Sequence, residues 1–272
     1  MFENKMLVCD MDGTLLNSSH DISAENLSAI EYFTGNGGIF TVATGRNQYS
    51  AARYIRQLPV NIPVILFNGA MIYDYDKTQV LWKNPISPNA AETVKEVMAK
   101  FPGAGIEIHR ENEIYLIAGN EFTDVHLKKD NNCAGTFQVE TVPLPWLKVL
   151  IAWDNVKLLE IENYLKQKAL PFRFTFSSDI YLEFLDFNSS KGHALEYLSD
   201  FTGIDMQNIY AAGDNMNDLE MIMTAGTGMA VANGHPALLQ SADLILPNNN
   251  ENAVASAVKW IEKQIRLSSV KL

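Results

Sequence analysis

Two aspartates follow directly on a short apolar run in the stretch "MLVCDMDGTLL", residues 6–16. The run, 6–9, has the length and composition of a fully buried strand, and Asp10 and Asp12 lie just past its carboxyl end. Ligands bind at that end of the strands in open α/β sheets. The alternative is a plain turn, because Asp and Gly13 favour turns and Thr14 could cap the next segment. The function of the pair depends on which other groups converge on it.

A threonine and a glycine follow the second apolar run, in "VATGRN", residues 42–47. Gly45 lets the backbone approach a ligand closely. The free N–H groups of a helix start, together with the Thr44 hydroxyl, would form a seat for a phosphate group, and Arg46 adds a cation beside it. The competing interpretation is that Thr44 or Asn47 only caps the following helix.

Two later stretches add a cation and a second pair of carboxylates. In "NSSKGHALEYL", 188–198, Lys191 falls in the first turn of a predicted helix, so it either meets an anion or is a solvated surface residue. In "IYAAGDNMNDLEMI", 209–222, Asp214 and Asp218 come just after an apolar strand. Acidic residues are common in a first helical turn. Two carboxylate pairs at strand ends would nevertheless hold a hard divalent cation, and Mg2+ fits best because it accepts few carboxylates.

Such a site needs strands whose ends converge, and the hydrophobic pattern predicts them. At both ends of the chain, apolar runs alternate with amphipathic stretches, which favours an α/β fold with a doubly wound, mostly parallel sheet and helices on both faces. The predicted strands are 6–9, 39–43, 63–67, 209–212, 228–231 and 244–246. The predicted helices are 24–34, 49–58, 192–201, 218–224, 236–241 and 253–265.

The middle of the chain has a different pattern, typical of an α+β domain with a largely antiparallel sheet. Its predicted strands are 104–108, 114–118, 149–153, 173–176 and 181–184, and its predicted helices are 89–100, 120–130 and 155–167. Stretches rich in Pro, Asn and Ser at 82–88 and 186–190 suit linkers. The sequence therefore predicts a core domain, 1–83 and 189–272, with an inserted domain, 84–188, joined by two crossings able to act as a hinge.

Composition excludes several classes of function. The chain has 272 residues, 47% apolar and 19% charged, so it can bury a sizeable core, and its net charge of −11 argues against nucleic acid and anionic membranes as partners. The first residues do not resemble a signal peptide, and no apolar run approaches the ~18–20 residues of a membrane span. Two cysteines, Cys9 and Cys133, are too few for a disulfide framework and suit a reducing cytoplasm, with Cys9 as a small buried hydrophobe. The oligomeric state stays open.

The order of the motifs resembles that of a known family. Asp-x-Asp-Gly-Thr, then Thr-Gly-Arg, then Lys, then Gly-Asp-x-x-Asn-Asp is the series of the haloacid dehalogenase (HAD) superfamily, and the chain resembles its Cof-like phosphatase subgroup with a C2-type cap. "FNGAMIYD", which contains Asn68, and "SADLILPNNNENAVASAV" resemble two further segments of that subgroup. Asn252-Ala253 stands where the subgroup usually has Asp-Gly, and Phe187-Asn188 where a Pro-containing turn is usual, so these departures concern loop geometry and substrate fit and lie outside the four motifs.

The resemblance implies a phosphate monoester hydrolase that forms an aspartyl-phosphate. It makes Asp10 the nucleophile and Asp12 the general acid and later the base that activates water. It implies Mg2+ as cofactor, held by the Asp10 carboxylate, the Asp12 backbone carbonyl and Asp214, with Asp218 assisting. The phosphate would be bound by Met11, Thr44, Gly45, Lys191 and Asn217. Arg46 and Asn68 are weaker candidates for substrate binding.

The expected function is therefore Mg-dependent hydrolysis of small phosphorylated metabolites, such as sugar or cofactor phosphates. A phosphotransferase or phosphomutase on the same scaffold is the main alternative. A phosphoacceptor signalling domain fits poorly, because such a module is shorter and lacks an inserted cap. The cap would contact the leaving group, and His109, Arg110 and Trp146 are its unranked candidates, although a lone histidine beside a hairpin turn is more typical of a surface residue.

Overall fold

In the computed structural model, residues 1–130 and 132–269 are described. The strands are β1 (Met6–Cys9), β2 (Ile39–Val42), β3 (Val64–Leu66), β4 (Met71–Asp74), β5 (Gln79–Lys83), β6 (Gly105–His109), β7 (Ile114–Ala118), β8 (Cys133–Thr136), β9 (Lys148–Ala152), β10 (Phe172–Ser178), β11 (Tyr181–Asp186), β12 (Ile209–Gly213), β13 (Thr227–Val231) and β14 (Leu244–Leu246). The helices are α1 (Ala24–Gly35), α2 (Gln48–Ile55), α3 (Ala90–Lys100), α4 (Glu121–Asp130), α5 (Asn155–Lys166), α6 (Lys191–Thr202), α7 (Leu219–Thr224), α8 (Pro236–Ser241) and α9 (Ala253–Ser269).

The sheet that carries the motifs is parallel, in the order β14-β13-β12-β1-β2. All of β1 is buried, and its side chains alternate between the two faces of the sheet. Leu7 and Cys9 join an apolar cluster with α1 and α9, whereas Met6 and Val8 join one with α6 and α7. The predicted α/β fold with helices on both faces is thereby confirmed, as is the burial of Cys9.

The predicted strand at 63–67 belongs to a different sheet. β3 pairs antiparallel with β4, and β4 with β5, and a single bridge from Ile65 to Ala43 connects this small sheet to the end of β2. The cause is a tight turn in which Phe67, Asn68 and Gly69 all have positive φ, so the chain reverses at once instead of entering a helix. The expected parallel pairing of 63–67 is reduced to this one parallel bridge between Ala43 and Ile65, and β4 and β5 were not predicted.

The middle of the chain forms a six-stranded sheet in the order β10-β11-β9-β6-β7-β8. Its pairs are antiparallel except β7 with β8, and β8 was not predicted. One face is apolar and packs on α3 and α5 through residues such as Ile106, Val149 and Leu182. The alternate positions on the other face carry charged side chains, among them Glu107 and Glu183, and we call this the polar face of the cap sheet.

The two predicted crossings between core and insertion lie side by side. Asn84 Nδ2 donates hydrogen bonds to Asp186 Oδ1 at 2.8 Å and to Ser189 Oγ at 3.2 Å. The proposed division at 83/84 and 188/189 stays a prediction.

None of the described helices combines the length and the apolar character that crossing a bilayer requires.

Candidate active site

The nucleophile candidate is a buried carboxylate paired with a buried lysine. Asp10 follows the last residue of β1 and is 4% exposed. Lys191, the first residue of α6, is fully buried and donates hydrogen bonds to Asp10 Oδ1 at 2.5 Å and to Asp218 Oδ1 at 2.6 Å. Ser190 supplies the N-cap of α6 by accepting from the His193 N–H. The alternative of a solvated surface lysine is therefore wrong, since Lys191 meets two anions.

A second pair of acids completes a cluster at the same edge of the sheet. Oxygens of Asp10, Asp214 and Asp218 all lie within 4.8 Å of one another. Asp218 is fixed by its Oδ2, which accepts hydrogen bonds from the N–H groups of Asp214 and Asn215. Asp214 is approached closely by Gly13, where a Cβ atom would lie 2.4 Å from Asp214 Oδ2 and φ is +86°. Only glycine suits this turn.

The cluster fits a hard divalent cation. Three carboxylates face one ammonium group, so negative charge remains uncompensated. Burial is the main cause that raises the pKa of Asp214, to about 7, and the nearby Asp218 adds to it. Asp10 Oδ2 is buried and accepts no hydrogen bond from any residue that the structure describes. An all-oxygen donor set with one orphaned oxygen suits Mg2+.

Asp12 lies apart from this cluster and pairs with Arg46. Arg46 Nε donates to Asp12 Oδ2 at 2.7 Å and Nη2 to Oδ1 at 2.6 Å, which is a bidentate ion pair. His20 lies near the same carboxylate, with 3.7 Å between Nδ1 and Oδ1. The sequence suggested Arg46 as a substrate contact, whereas in this structure its guanidinium holds Asp12.

The Thr-Gly turn is held by hydrogen bonds of neighbouring residues, and Thr44 does not cap the following helix. Asn47, and not Thr44, caps α2 by accepting from the N–H groups of Tyr49 and Ser50. The Thr44 hydroxyl accepts from the Arg46 N–H at 3.2 Å. The Met11 carbonyl accepts from two N–H groups of the turn after β1.

A pair of asparagines joins the core to the cap sheet. Asn217 Nδ2 donates to Asn68 Oδ1 at 3.0 Å, and Asn68 Nδ2 donates to Glu183 Oε2 at 2.7 Å. Lys148 Nζ donates to Glu183 Oε1 at 3.1 Å and to the Gly45 carbonyl at 3.1 Å. Lys148 and Glu183 are almost fully buried. The cap sheet therefore docks on the Thr-Gly turn through a buried ion pair.

One cavity of about 200 Å3 collects most of these groups. From the core it is lined by Asp10, Asp12, His20, Thr44, Gly45, Arg46, Asp214 and Asn217. From the cap it is lined by His126, Lys148, Ser177, Ser178, Tyr181 and Glu183. The predicted motif residues thus converge, with Lys191 and Asp218 directly behind Asp10.

The cap residues suggested from the sequence lie elsewhere. Trp146 is buried in the apolar cluster of the cap, and its indole N–H donates to the Val142 carbonyl. Arg110 contacts the Leu144 carbonyl and lies outside the cavity lining. His109 is 1% exposed, so the interpretation as a surface histidine was wrong. A charged residue next to apolar strand residues, as at Lys148 and Glu183, is the sequence signal that could have identified these cap residues of the cavity.

The comparisons with known proteins agree with this geometry. Residues 7–258 match the family model of the haloacid dehalogenase-like hydrolases. The chain is 29% identical over 280 residues to a 5-amino-6-(5-phospho-D-ribitylamino)uracil phosphatase of Bacillus subtilis, covering 92% of this chain and 96% of that one. It is 23% identical over 270 residues to a pyridoxal phosphate phosphatase of Escherichia coli, covering 93% and 97%. A crystal structure of a haloacid dehalogenase-like hydrolase from Bacteroides thetaiotaomicron superposes with a TM-score of 0.79 at 26% identity, covering 94% and 99%.

Proposed function

The chain belongs to the haloacid dehalogenase-like hydrolases, among the Cof-like phosphatases, and from this premise we propose that it hydrolyses small phosphorylated metabolites through an aspartyl-phosphate on Asp10. One observation carries the proposal. The Asp10 carboxylate lines the cavity and is held by Lys191 at 2.5 Å, in an acidic cluster that suits a divalent cation.

In the first step, an oxygen of Asp10 attacks the phosphorus atom, and the bond from phosphorus to the leaving oxygen breaks. Asp12 donates a proton to that oxygen, so the alcohol departs neutral. Arg46 holds the Asp12 carboxylate at the rim of the cavity by two hydrogen bonds. Splitting hydrolysis in this way replaces one slow displacement by two easier ones.

In the second step, Asp12 takes a proton from a water molecule, whose oxygen attacks the phosphorus of the aspartyl-phosphate. The acyl-phosphate bond breaks, inorganic phosphate leaves and the Asp10 carboxylate is restored. Asp12 is protonated again at the end, so protons balance over the cycle.

The phosphoryl oxygens need fixed donors and positive charge. Lys191 offsets the negative charge of Asp10, and we assign the Thr44 hydroxyl, the Asn217 amide and the N–H groups of Met11 and Gly45 to the oxygens. Asp10, Asp214 and the Asp12 carbonyl would hold Mg2+, with Asp218 behind them, and the ion would supply charge against repulsion between carboxylate and phosphate.

The cap side of the cavity gives the leaving group its surroundings. His126, Ser177, Ser178 and Tyr181 line the cavity opposite the aspartates. The relatives named above act on leaving groups with hydroxyls and heterocyclic rings, which such side chains can bind, and we extend this class of substrate to the present chain.

Free Cys9 and Cys133 fit a reducing compartment, so we propose the cytoplasm as the location of this protein.

The test is phosphate release from a panel of phosphorylated metabolites. We expect wild-type turnover with Mg2+, none after exhaustive chelation, and recovery when Mg2+ is restored. Asp10→Asn should fold normally and lose activity to below a few per cent, while Asp200→Asn, an exposed acid on α6, should stay active. Full activity of Asp10→Asn, or of the chelated wild type, contradicts the proposal. Transfer to an added sugar in place of phosphate release would show a phosphotransferase instead.

A further inference from the structure

A second set of metal-binding side chains lies in the cap, outside the aspartate cluster. Glu107 and His109 are alternate residues of β6, so both lie on the polar face of the cap sheet. His126 comes from α4, which packs against this face. The proposed chemistry at phosphorus uses none of the three, although His126 also lines the cap side of the cavity.

The ligand atoms of this group converge on one point. His109 Nε2 lies 3.0 Å and His126 Nδ1 lies 2.8 Å from the same oxygen, Glu107 Oε2. All three ligand atoms lie within 4.8 Å of one another. In a tetrahedral Zn2+ site with bonds of ~2.0–2.1 Å, neighbouring ligand atoms are about 3.3 Å apart. Outward shifts of a few tenths of an ångström would therefore bring each histidine nitrogen to that distance from the Glu107 oxygen.

One oxygen of the Glu107 carboxylate also lacks a hydrogen-bond donor among the described residues. Glu107 is fully buried, and its other oxygen, Oε1, meets no hydrogen-bond donor among the residues that the structure describes. A buried carboxylate oxygen without a donor is costly. A cation held between Glu107 and the imidazoles would offset the buried charge of this carboxylate.

We propose that Glu107, His109 and His126 bind a transition-metal ion such as Zn2+ or Co2+. Two imidazole nitrogens with one carboxylate form the donor set that these ions prefer, whereas Mg2+ prefers oxygen alone. The aspartate cluster offers oxygen only. The two clusters would thus select different cations by donor chemistry, which goes beyond the proposed phosphatase function.

The position of His126 gives this site an opening. His126 lines the active-site cavity, while Glu107 and His109 lie behind it and are buried. An ion on these three ligands would therefore lie beside the cavity wall, and catalytic Zn2+ sites with three protein ligands leave the fourth position for water or substrate. The ion would then bind an oxygen or nitrogen atom of a molecule on the cap side of the cavity.

The test is metal binding to the resting protein, so it does not depend on turnover or on the phosphatase assignment. Chelated protein is titrated with Co2+ and Zn2+ in excess Mg2+, which occupies the oxygen cluster. We expect one equivalent of Co2+ with the visible absorption of nitrogen ligation. His126→Ala and Glu107→Gln should weaken this binding by ~100-fold or more, beyond the ~10–100-fold typical of losing an outer partner.

Two further variants keep the outcome decisive. His193→Ala removes an exposed imidazole from α6 and should bind Co2+ like the wild type. Asp214→Ala removes the oxygen cluster and should keep the Co2+ absorption. Each variant is first shown to melt cooperatively, and His109→Ala replaces any that does not. Absence of Co2+ and Zn2+ binding by the wild type, or unchanged binding by folded His126→Ala and His109→Ala, overturns the proposal.

Discussion

The two aspartates of the first motif sit in opposite electrostatic surroundings. Asp10 is buried beside Lys191, whereas the Asp12 side chain is 43% exposed and bound by Arg46. A buried carboxylate that faces an ammonium suits a nucleophile, and an accessible one suits proton exchange with a leaving group and with water. Asp10 and Asp12, two positions apart, are thus suited to different chemical roles because different residues surround them.

Asp12→Ala should separate these duties. We expect kcat to fall by ~10^2–10^4 for an alkyl phosphate, because the leaving oxygen then departs without a proton. The loss in phosphoenzyme formation should be much smaller for p-nitrophenyl phosphate, whose leaving group needs little protonation. Rapid-quench measurement of phosphoenzyme formation with both substrates checks this. Equal losses would mean that Asp12 only shapes the site.

Gly13→Ala tests the close approach at Asp214. The new Cβ would clash with Asp214 Oδ2, so we expect the Mg2+ concentration for half-maximal activity to rise by ~10-fold or more. Gly203→Ala is the matched control, because φ there is also positive, +70°, but nothing lies within 4 Å of the new Cβ. It should cost about 1–2 kcal/mol of stability and leave the Mg2+ requirement unchanged. An unchanged requirement in Gly13→Ala would contradict the assignment of Asp214.

At the scale of elements, the buried pair on β9 and β11 fastens the cap sheet to the core. Lys148 and Glu183 contact each other, and they also reach the Gly45 carbonyl and the Asn68 amide. Although burial opposes ionisation, the Lys148 ammonium and the Ser177 hydroxyl lower the pKa of Glu183. Glu183 is therefore ionised at neutral pH, and its ion pair with Lys148 helps to hold the cap sheet on the Thr-Gly turn.

Lys148→Met should destabilise the protein by about 3–5 kcal/mol, because it leaves the Glu183 charge buried and unpaired. The double variant Lys148→Met/Glu183→Gln should recover part of this loss. Lys77→Met removes an exposed ammonium from its pair with Asp74, which keeps its hydrogen bond from the Lys77 N–H, and should change stability by about 0–1 kcal/mol. Urea unfolding of the four proteins measures these differences. Equal effects of Lys148→Met and Lys77→Met would contradict a buried pair.

The same pair predicts a pH dependence. The pKa of Glu183 is lower in the folded protein than its ordinary 4.5, so its contribution to stability is complete above that pH. It is lost as pH falls below 4.5 through the lowered pKa. Unfolding free energies between pH 7 and pH 3 should therefore fall more steeply for the wild type than for Lys148→Met/Glu183→Gln. Parallel curves would show that Glu183 does not titrate in this way.

Sequence patterns predicted that the motif residues converge at one edge of the parallel sheet. They did not predict the cap side of the cavity, which depends on the register of the cap strands. Asp10, Thr44 and Asp214 follow strands of one parallel sheet, so their meeting at its carboxyl edge follows from topology. Glu107 and Glu183 share a face only because β6, β9 and β11 pair with Glu107 opposite Leu150 and Leu150 opposite Glu183. Neither that register nor the left-handed turn at 67–69 can be deduced from one short stretch.

At the scale of the whole molecule, the insertion meets the core at adjacent points. The hydrogen bonds of Asn84 bring the two crossings together, and Arg173 of β10 pairs with Glu220 of α7 across the cleft. These polar contacts, beside the apolar packing of Leu147 and Leu185 in the core cluster, hold the cap against the core. Contacts of this kind can exchange with water as the cleft opens for substrate.

Replacing 84–188 by a short Gly/Ser bridge tests whether the cap determines the choice of substrate. We expect weak Mg2+-dependent activity on small aryl phosphates and kcat/KM values that converge across larger metabolites, because the cap contacts and the exclusion of water are lost. A cooperative melt must first show that the shortened protein folds. A folded capless variant that ranks the panel as the parent does would place specificity in the core.

The alternation along the cap strands has an evolutionary consequence. Positions on one face, such as Ile106 and Leu182, are constrained by the apolar packing of the cap, while alternate positions such as Tyr181 line the cavity. Substitutions at cavity-lining positions such as Tyr181 can therefore alter contacts with a ligand while leaving the apolar face of the cap sheet unchanged. Lys148 and Glu183 are the exception, because changing either alone strands a charge. We expect Lys148 and Glu183 to be substituted rarely and together during evolution, while the other cavity-lining positions of the cap vary more.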